Sequence, residues 1–245
     1  MSLSWPVVWH DTLDSTNEEA RRKAAAGEVS GCWIAARAQS AGRGRLGRSW
    51  ASPVGNLFAT ALFAEPGGLA VAIRIPFAAA LAVHDVLSGY ARDAAIELKW
   101  PNDVRVKGAK LCGILVESGD QGGEVWIAAG IGINVADVPE GAGQAATSLA
   151  ALRGDGAVTA DMVLDGLRDC FERRLRQARS DFAGTREDWL ARAEGLGGPV
   201  KVSPGGEVVE GVFETLAEDG GLVLKLADGR MRTIRAGDVE LIRRA

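Results

Sequence analysis

The sequence predicts an α+β fold: a mixed β-sheet flanked by helices, followed by a small C-terminal SH3-like β-barrel. Three observations predict it. Short strand candidates stand close enough to form hairpins, long segments repeat apolar residues at helical spacing, and the composition changes at Gly195-Leu-Gly-Gly-Pro199. Hairpins set among helices favour a mixed sheet over a doubly wound parallel one.

Residues 7–9 read as a short strand. Ser15-Thr16-Asn17-Glu18 has the spacing of a capping box, so a helix begins there, passes through Arg21, Arg22 and Ala26, and stops near Gly27. Residues 32–37 and 56–63 are apolar, buried-strand candidates. A long apolar-periodic helix covers 71–90. Strands at 97–100, 104–106, 110–117 and 124–133 follow, with Lys107-Gly108 and Asp120-Gln-Gly-Gly as their turns. Residues 159–179 form an amphipathic helix carrying Met162, Leu164, Leu167, Phe171 and Leu175, and a further helix spans 186–193. Beyond the glycine-rich junction come five short strands, at 200–202, 208–215, 222–226, 231–234 and 239–242. That density fits a small barrel packed on the larger domain. The division is therefore 1–195 and 196–245.

The bulk properties exclude several classes. A net charge of -4 provides no global field for nucleic acid, so any anion site is a local cluster of cations. Cys32, Cys112 and Cys170 form no CxxC pair, and His10 and His84 are the only histidines, so neither a disulfide framework nor a Cys/His metal site is expected. The sequence has no uninterrupted apolar run of about 18 residues, the length a membrane span needs. Met1-Ser-Leu-Ser-Trp lacks the pattern of a secretory signal, and the expected compartment is the cytoplasm.

Three clusters carry chemistry. In Gln39-Ser-Ala-Gly-Arg-Gly-Arg-Leu-Gly-Arg-Ser-Trp50, three glycines alternate with three arginines. Glycine lets backbone approach a ligand, and guanidinium groups supply forked donors for phosphate or carboxylate. The stretch matches neither a P-loop nor a dinucleotide fingerprint, and a solvated basic loop or an RNA-binding patch remains open on spacing alone. Lys99-Trp-Pro-Asn-Asp103 presents Asn102 and Asp103 on a proline-fixed turn, and Lys110-Leu-Cys-Gly-Ile-Leu-Val-Glu117 places an ammonium at the head of an apolar strand. A surface hairpin with edge lysines is the plain alternative. Gly130-Ile-Gly-Ile-Asn134 ends a buried strand with glycines and an amide suited to a base or ribose. Trp5, Trp9, Trp33, Trp126 and Trp189 read as packing residues, and the arginines of 168–179 as a solvated helix face.

The ordered set STN, QxxGRGRxGRxW, KWPND, KxxGILVE and GIGIN resembles the catalytic module of biotin protein ligases. The resemblance runs from Asp14 to the C-terminus. It implies a class II synthetase-like biotin/lipoate ligase domain with an SH3-like barrel, and biotin and ATP as substrates with Mg²⁺. Biotin contacts would fall on Ser15, Thr16, Asn17, Gln39, Gly42, Arg43, Gly44, Arg45, Lys110 and Gly113. ATP contacts would fall on Arg48, Trp50, Lys99, Asn102, Asp103 and Asn134, with Trp50 covering the adenine and Asp103 as candidate metal ligand. Arg45 and Lys110 would be catalytic. Leu46 stands where some relatives carry a basic residue.

The implied reaction joins two anions, a biotin carboxylate and the α-phosphate, so preorganised cations in a dry site lower its barrier. Transfer of biotin to a lysine of a biotin carboxyl carrier protein would follow, and the group that accepts the lysine's proton is left open, with Asp103 as one candidate. The STN motif begins at residue 15, so a monofunctional type without an N-terminal DNA-binding domain is expected. No DNA or membrane partner is expected; a homodimer stays open. A lipoate ligase-like enzyme or a catalytically silent binding protein is the alternative.

Overall fold

The computed structural model describes residues 5–138 and 144–242. Residues 1–4, part of the stretch read for a signal pattern, lie outside it. In chain order the first domain contains β1 (Val7–Leu13), α1 (Thr16–Ala25), β2 (Cys32–Gln39), β3 (Leu57–Ala64), α2 (Leu69–Ala72), α3 (Ile75–Tyr90), β4 (Ile96–Lys99), β5 (Asp103–Val106), β6 (Ala109–Gln121), β7 (Glu124–Ile133), α4 (Leu149–Arg153), α5 (Ala160–Ser180) and α6 (Phe182–Leu190). Its seven strands form one sheet in the order β1-β2-β3-β7-β6-β5-β4, with β1 and β2 parallel and the other neighbours antiparallel. The mixed sheet is as expected.

α3 lies on the core side of the sheet. Ile75, Phe77 and the run 78–83 are buried, and α5 and α6 pack beside it. The segment Leu69–Tyr90 is long and apolar enough by composition to cross a bilayer, and its burial here accounts for that composition. The single helix expected over 71–90 is divided into α2 and α3, with Pro76 in the first turn of α3. A proline there loses nothing, because first-turn amides have no intrahelical acceptor. On the other face α1 packs on β2, β3 and β7 through Ala20, Ala24, Ile34, Leu62 and Ala128, and its Asn17 reaches β6. The rest of that face stays open.

α5 is not simply a solvated face. Arg174 reaches Asp85 on α3 and Asp188 on α6, Arg173 also meets Asp85, and Arg168 donates to the Trp5 carbonyl. α6 starts four residues earlier than expected, because Asp181 caps it by accepting from the Gly184 amide.

The second domain has β8 (Pro199–Val202), β9 (Val209–Leu216), β10 (Leu222–Lys225), β11 (Met231–Ile234) and β12 (Val239–Leu241), an antiparallel sheet in the order β11-β10-β9-β8-β12. That small five-stranded unit is the SH3-like element read from the sequence. Trp100 of the first domain donates through Nε1 to the Gly220 carbonyl at 3.1 Å, and the segment leading into the barrel is fixed where Ala193 bridges Leu98 and Arg105 pairs with the buried Glu194 at 3.3 Å. Phe77 also lies against Gly220. These ties hold the barrel beside the KWPND turn.

Candidate active site

A cavity of about 440 Å³ opens on the uncovered sheet face, within the range of about 300–1,000 Å³ usual for small-molecule sites. Ser15, Thr16, Asn17, Gln39, Arg43, Gly44, Arg45, Arg48, Trp50, Lys99, Asn102, Asp103, Lys110, Gly113 and Asn134 all line it. These are the residues singled out in the sequence, save Gly42. Gly42 stands behind the wall, where a Cβ would meet the Trp50 carbonyl at 2.4 Å.

The floor is bare because it has to be. Gly113 on β6 pairs with Gly132 on β7, and Leu115 pairs with Gly130. A Cβ on Gly113 or Gly132 would enter the Trp50 ring at 2.8 Å, and one on Gly130 would strike Asn17 Oδ1 at 2.0 Å. The close approach expected of a ligand at these glycines is thus made by the protein's own Asn17 and Trp50. The Lys110 ammonium stands 5.1 Å from the Trp50 ring centre, within cation–π range.

At the α1 end the polar groups are neutral and tightly engaged. The Thr16 amide donates to Gln39 Oε1 at 2.8 Å, and the Thr16 hydroxyl reaches the same oxygen at 3.2 Å. Buried Thr60 donates to Asn17 Oδ1 at 2.7 Å, while Asn17 Nδ2 donates to the Leu115 carbonyl and to Glu117. Both sides of the Asn17 amide are therefore committed, so Asn17 positions its neighbours. Ser15 occupies the N-cap, but its hydroxyl makes no capping bond, and Glu18 instead pairs with Arg21 and Arg43. The capping box is absent, and the Ser15 side chain is left to the cavity.

At the other end cations gather. Residues 42–50 form a hairpin, with Trp50 donating its amide to the Gly42 carbonyl at 2.8 Å and a 3₁₀ turn at Arg45–Gly47. Leu46 sits at its tip, exposed and at φ 56°, a left-handed conformation unusual for leucine. Arg45 donates to Asn102 Oδ1 at 2.9 Å and lies 3.7 Å from Asp238 on the barrel, which Arg48 contacts at 3.0 Å. Arg43 turns the other way, to Glu18 and Glu117. Lys110 pairs with Asp103 at 2.7 Å. Lys99 has no ion-pair partner among the described residues. Burial pushes its ammonium below the ordinary 10.5, helped by the charge of Arg105; burial likewise lowers the Arg45 guanidinium. Buried Asn134 donates to the Thr147 carbonyl at 3.0 Å and keeps Oδ1 without a partner among the described residues.

The model of the biotin/lipoate A/B protein ligase family covers residues 10–134, and that of the biotin protein ligase C-terminal domain covers 195–242. Over 233 residues the chain is 40% identical to the biotin–[acetyl-CoA-carboxylase] ligase of Paracoccus denitrificans, spanning 92% of this chain and 96% of that one. The chain belongs to the biotin protein ligase family. The corresponding ligase of Mycobacterium tuberculosis is 34% identical over 94% of this chain and 86% of its own. Among solved structures, the biotin protein ligase of Aquifex aeolicus, in complex with biotin and ATP, superposes with a TM-score of 0.80 at 28% identity, covering 98% of this chain and 99% of that one.

Against this family background, the sequence reading missed the residues that hold the cations. Asp238 comes from the barrel, 190 positions from Arg48, and no local pattern marks it. Glu117 was in view as the last letter of KxxGILVE, but without a role. Thr60 and Ser52 lie outside every motif.

Proposed function

We propose that this chain is an ATP-dependent biotin–protein ligase that forms biotinyl-5'-adenylate and transfers biotin to a specific lysine of a biotin carboxyl carrier protein. One observation carries the reading: a single cavity has a neutral polar pocket and a cation cluster, with the Trp50 ring lying over the glycine floor between them. The ligase unit is residues 1–195 and the barrel 196–245. The setting is cytoplasmic, and operator DNA has no part in it. In support, a net charge of -4 gives the chain no global basic field to steer it onto nucleic acid.

Biotin is assigned to the end formed by Ser15, Thr16, Asn17, Gln39, Arg43 and Gly44, with Gly42 behind them and Gly113 below. Gln39 Oε1 already accepts from Thr16, so Gln39 offers biotin an N–H. ATP, entering with Mg²⁺, is assigned to Arg48, Lys99, Asn102, Asp103 and Asn134, with Trp50 bordering both substrates. Asn134 Oδ1, without a partner among the described residues, suits an exocyclic amine of the base. No cluster of three or more His, Cys, Asp or Glu that could hold a metal exists among the described residues. A Mg²⁺ carried in by the phosphates is proposed to meet one carboxylate here, that of Asp103.

In the first step a biotin carboxylate oxygen bonds to the α-phosphorus and the bond to the β-phosphate breaks, releasing pyrophosphate. Arg45 and Lys110 stabilise the charge that develops on the phosphoryl oxygens. Asp238 and Asp103 hold these cations in place beforehand, and phosphate replaces them as partners. In the second step a neutral lysine amine attacks the acyl carbon, AMP leaves, and the amine's proton passes to Asp103 or water. The test is mass spectrometry of a carrier domain incubated with the protein, biotin and ATP. The expected product carries one biotinyl group on one lysine; an unmodified carrier in the presence of pyrophosphate release restricts the protein to adenylation, and neither product rejects the reading.

A further inference from the structure

The two stems of the arginine hairpin are joined by a relay that none of the motifs contains. Gln39 Nε2 donates to Ser52 Oγ at 2.9 Å, and Ser52 Oγ donates to the Trp50 carbonyl at 3.0 Å. On its far side the Gln39 carbonyl oxygen accepts from Thr16, at the head of α1. A continuous chain therefore runs from the pocket's polar end, through Gln39 and Ser52, to the backbone that aims the Trp50 ring. Gly42 is the gap through which it passes. A Cβ there would lie 2.4 Å from the Trp50 carbonyl, 2.6 Å from Ser52 Oγ and 2.9 Å from Gln39 Nε2. Pro53 follows Ser52 and restricts its backbone to extended conformations.

From this geometry we infer that Ser52 is a positioning residue: it locks the exit stem of the arginine hairpin to the glutamine that reads the first substrate. The inference rests on the ligase reading for the identity of that substrate, biotin, but not for the relay itself. Ser52 is absent from the cavity wall and touches no reacting atom. Its loss leaves the Gln39 amide held only through Oε1, by Thr16, and frees Trp50 to lift from Gly113 and Gly132. Recognition of biotin and closure of the hairpin then weaken together, while Lys110, Asp103 and Lys99, on β4 to β6, keep their places.

The test compares wild type with Ser52→Ala, which removes both bonds, and Ser52→Thr, which retains the hydroxyl. For Ser52→Ala the expected result is a KM for biotin raised roughly tenfold, the loss of one to two hydrogen bonds, with a smaller rise in the KM for ATP through the Arg48 and Trp50 that the same hairpin carries. Ser52→Thr should restore most of it. The second readout needs no activity: the rate of tryptic cleavage after Arg45 and Arg48, followed by mass spectrometry on protein of unchanged circular dichroism. Ser52→Ala should be cut several times faster than wild type, and biotin should protect it less. Wild-type cleavage and wild-type KM in Ser52→Ala overturn the relay, as does equal impairment in Ser52→Thr. If wild type forms no adenylate, the ligase reading fails, and the cleavage rates alone decide the relay.

Discussion

The carboxylate of Asp238, on the barrel, lies 3.0 Å from the guanidinium of Arg48, on the arginine hairpin of the first domain. The two are 190 residues apart, and through them the C-terminal barrel holds the arginine hairpin. Both side chains are about half exposed, so the pair contributes about 0.5–1 kcal/mol. Asp238→Asn should therefore speed cleavage of the substrate-free hairpin by about two- to fivefold, and high salt should bring wild type toward the variant. An unchanged rate at low salt contradicts the anchoring role.

Arg45 meets Asn102 and Asp238 and closes the hairpin over the cavity mouth. Arg45→Gly should release biotinyl-adenylate into solution and label proteins indiscriminately, because the closed loop also shields the anhydride from water. Lys110→Ala should lower the rate of adenylate formation by about 10²–10³, the usual cost of one preorganised cation or donor. Single-turnover adenylate assays and blots of biotinylated lysate check both. An Arg45→Gly enzyme that keeps its adenylate and stays selective contradicts the first.

Gly132→Val tests the floor. The substitution drives a branched side chain into the Trp50 indole, which a Cβ alone would approach to 2.8 Å. The expected result is at least a tenfold loss of biotin affinity with the fold retained, read by calorimetry, since the displaced ring occupies ligand space and the strand stays paired. Unaltered binding indicates that Trp50 moves away at no cost.

Lys99 is predicted to set the alkaline limb of ATP use. Its ammonium is desolvated and loses its proton below the ordinary lysine value of 10.5. The charge that ATP meets is present at neutral pH and disappears earlier on the alkaline side than an exposed lysine's would. Lys99→Arg, whose charge persists, should shift the alkaline fall of kcat/KM for ATP to higher pH. Coincident profiles rule Lys99 out as the group responsible.

Away from the site, Asp85 links α3 to α5. Burial pushes its carboxyl up, but hydrogen bonds from His84, Arg174 and Arg173 together hold it well below the usual range. A depressed carboxyl stabilises above its unfolded value of about 3.9, and that stability is lost as pH falls through the folded value. Asp85→Asn should cost about 2–3 kcal/mol near pH 7, at or below the loss expected for half a buried ion pair, and much less in acid. Equal urea midpoints at neutral pH contradict this.

The fold was legible where local chemistry dictates it. Lys107-Gly108 forms its two-residue turn with both residues at positive φ, and apolar runs of strand length became central strands. The helix division at Pro76 was legible in principle, since a proline suits only a first turn. Ser15 misled because its capping-box letters serve the cavity instead of the helix. The lining residues were legible because motifs record side chains that face ligands. Their counter-ions were not. Asp238 reaches Arg48 across 190 positions, Glu117 reaches Arg43 across 74 and Thr60 reaches Thr16 across 44, and no spacing in the chain announces such a contact. Trp50 shows the same limit. Its motif located it in the cavity, but only the pairing of Gly113 with Gly132 shows what the ring lies on.

The most direct test of the central claim is pyrophosphate release from ATP, measured with biotin, with lipoate and with neither. The account predicts release that requires biotin, is not supported by lipoate, and falls by about 10²–10³ in Lys110→Ala. Release driven by lipoate, or none with biotin while the protein is folded and Mg²⁺ is present, would contradict it.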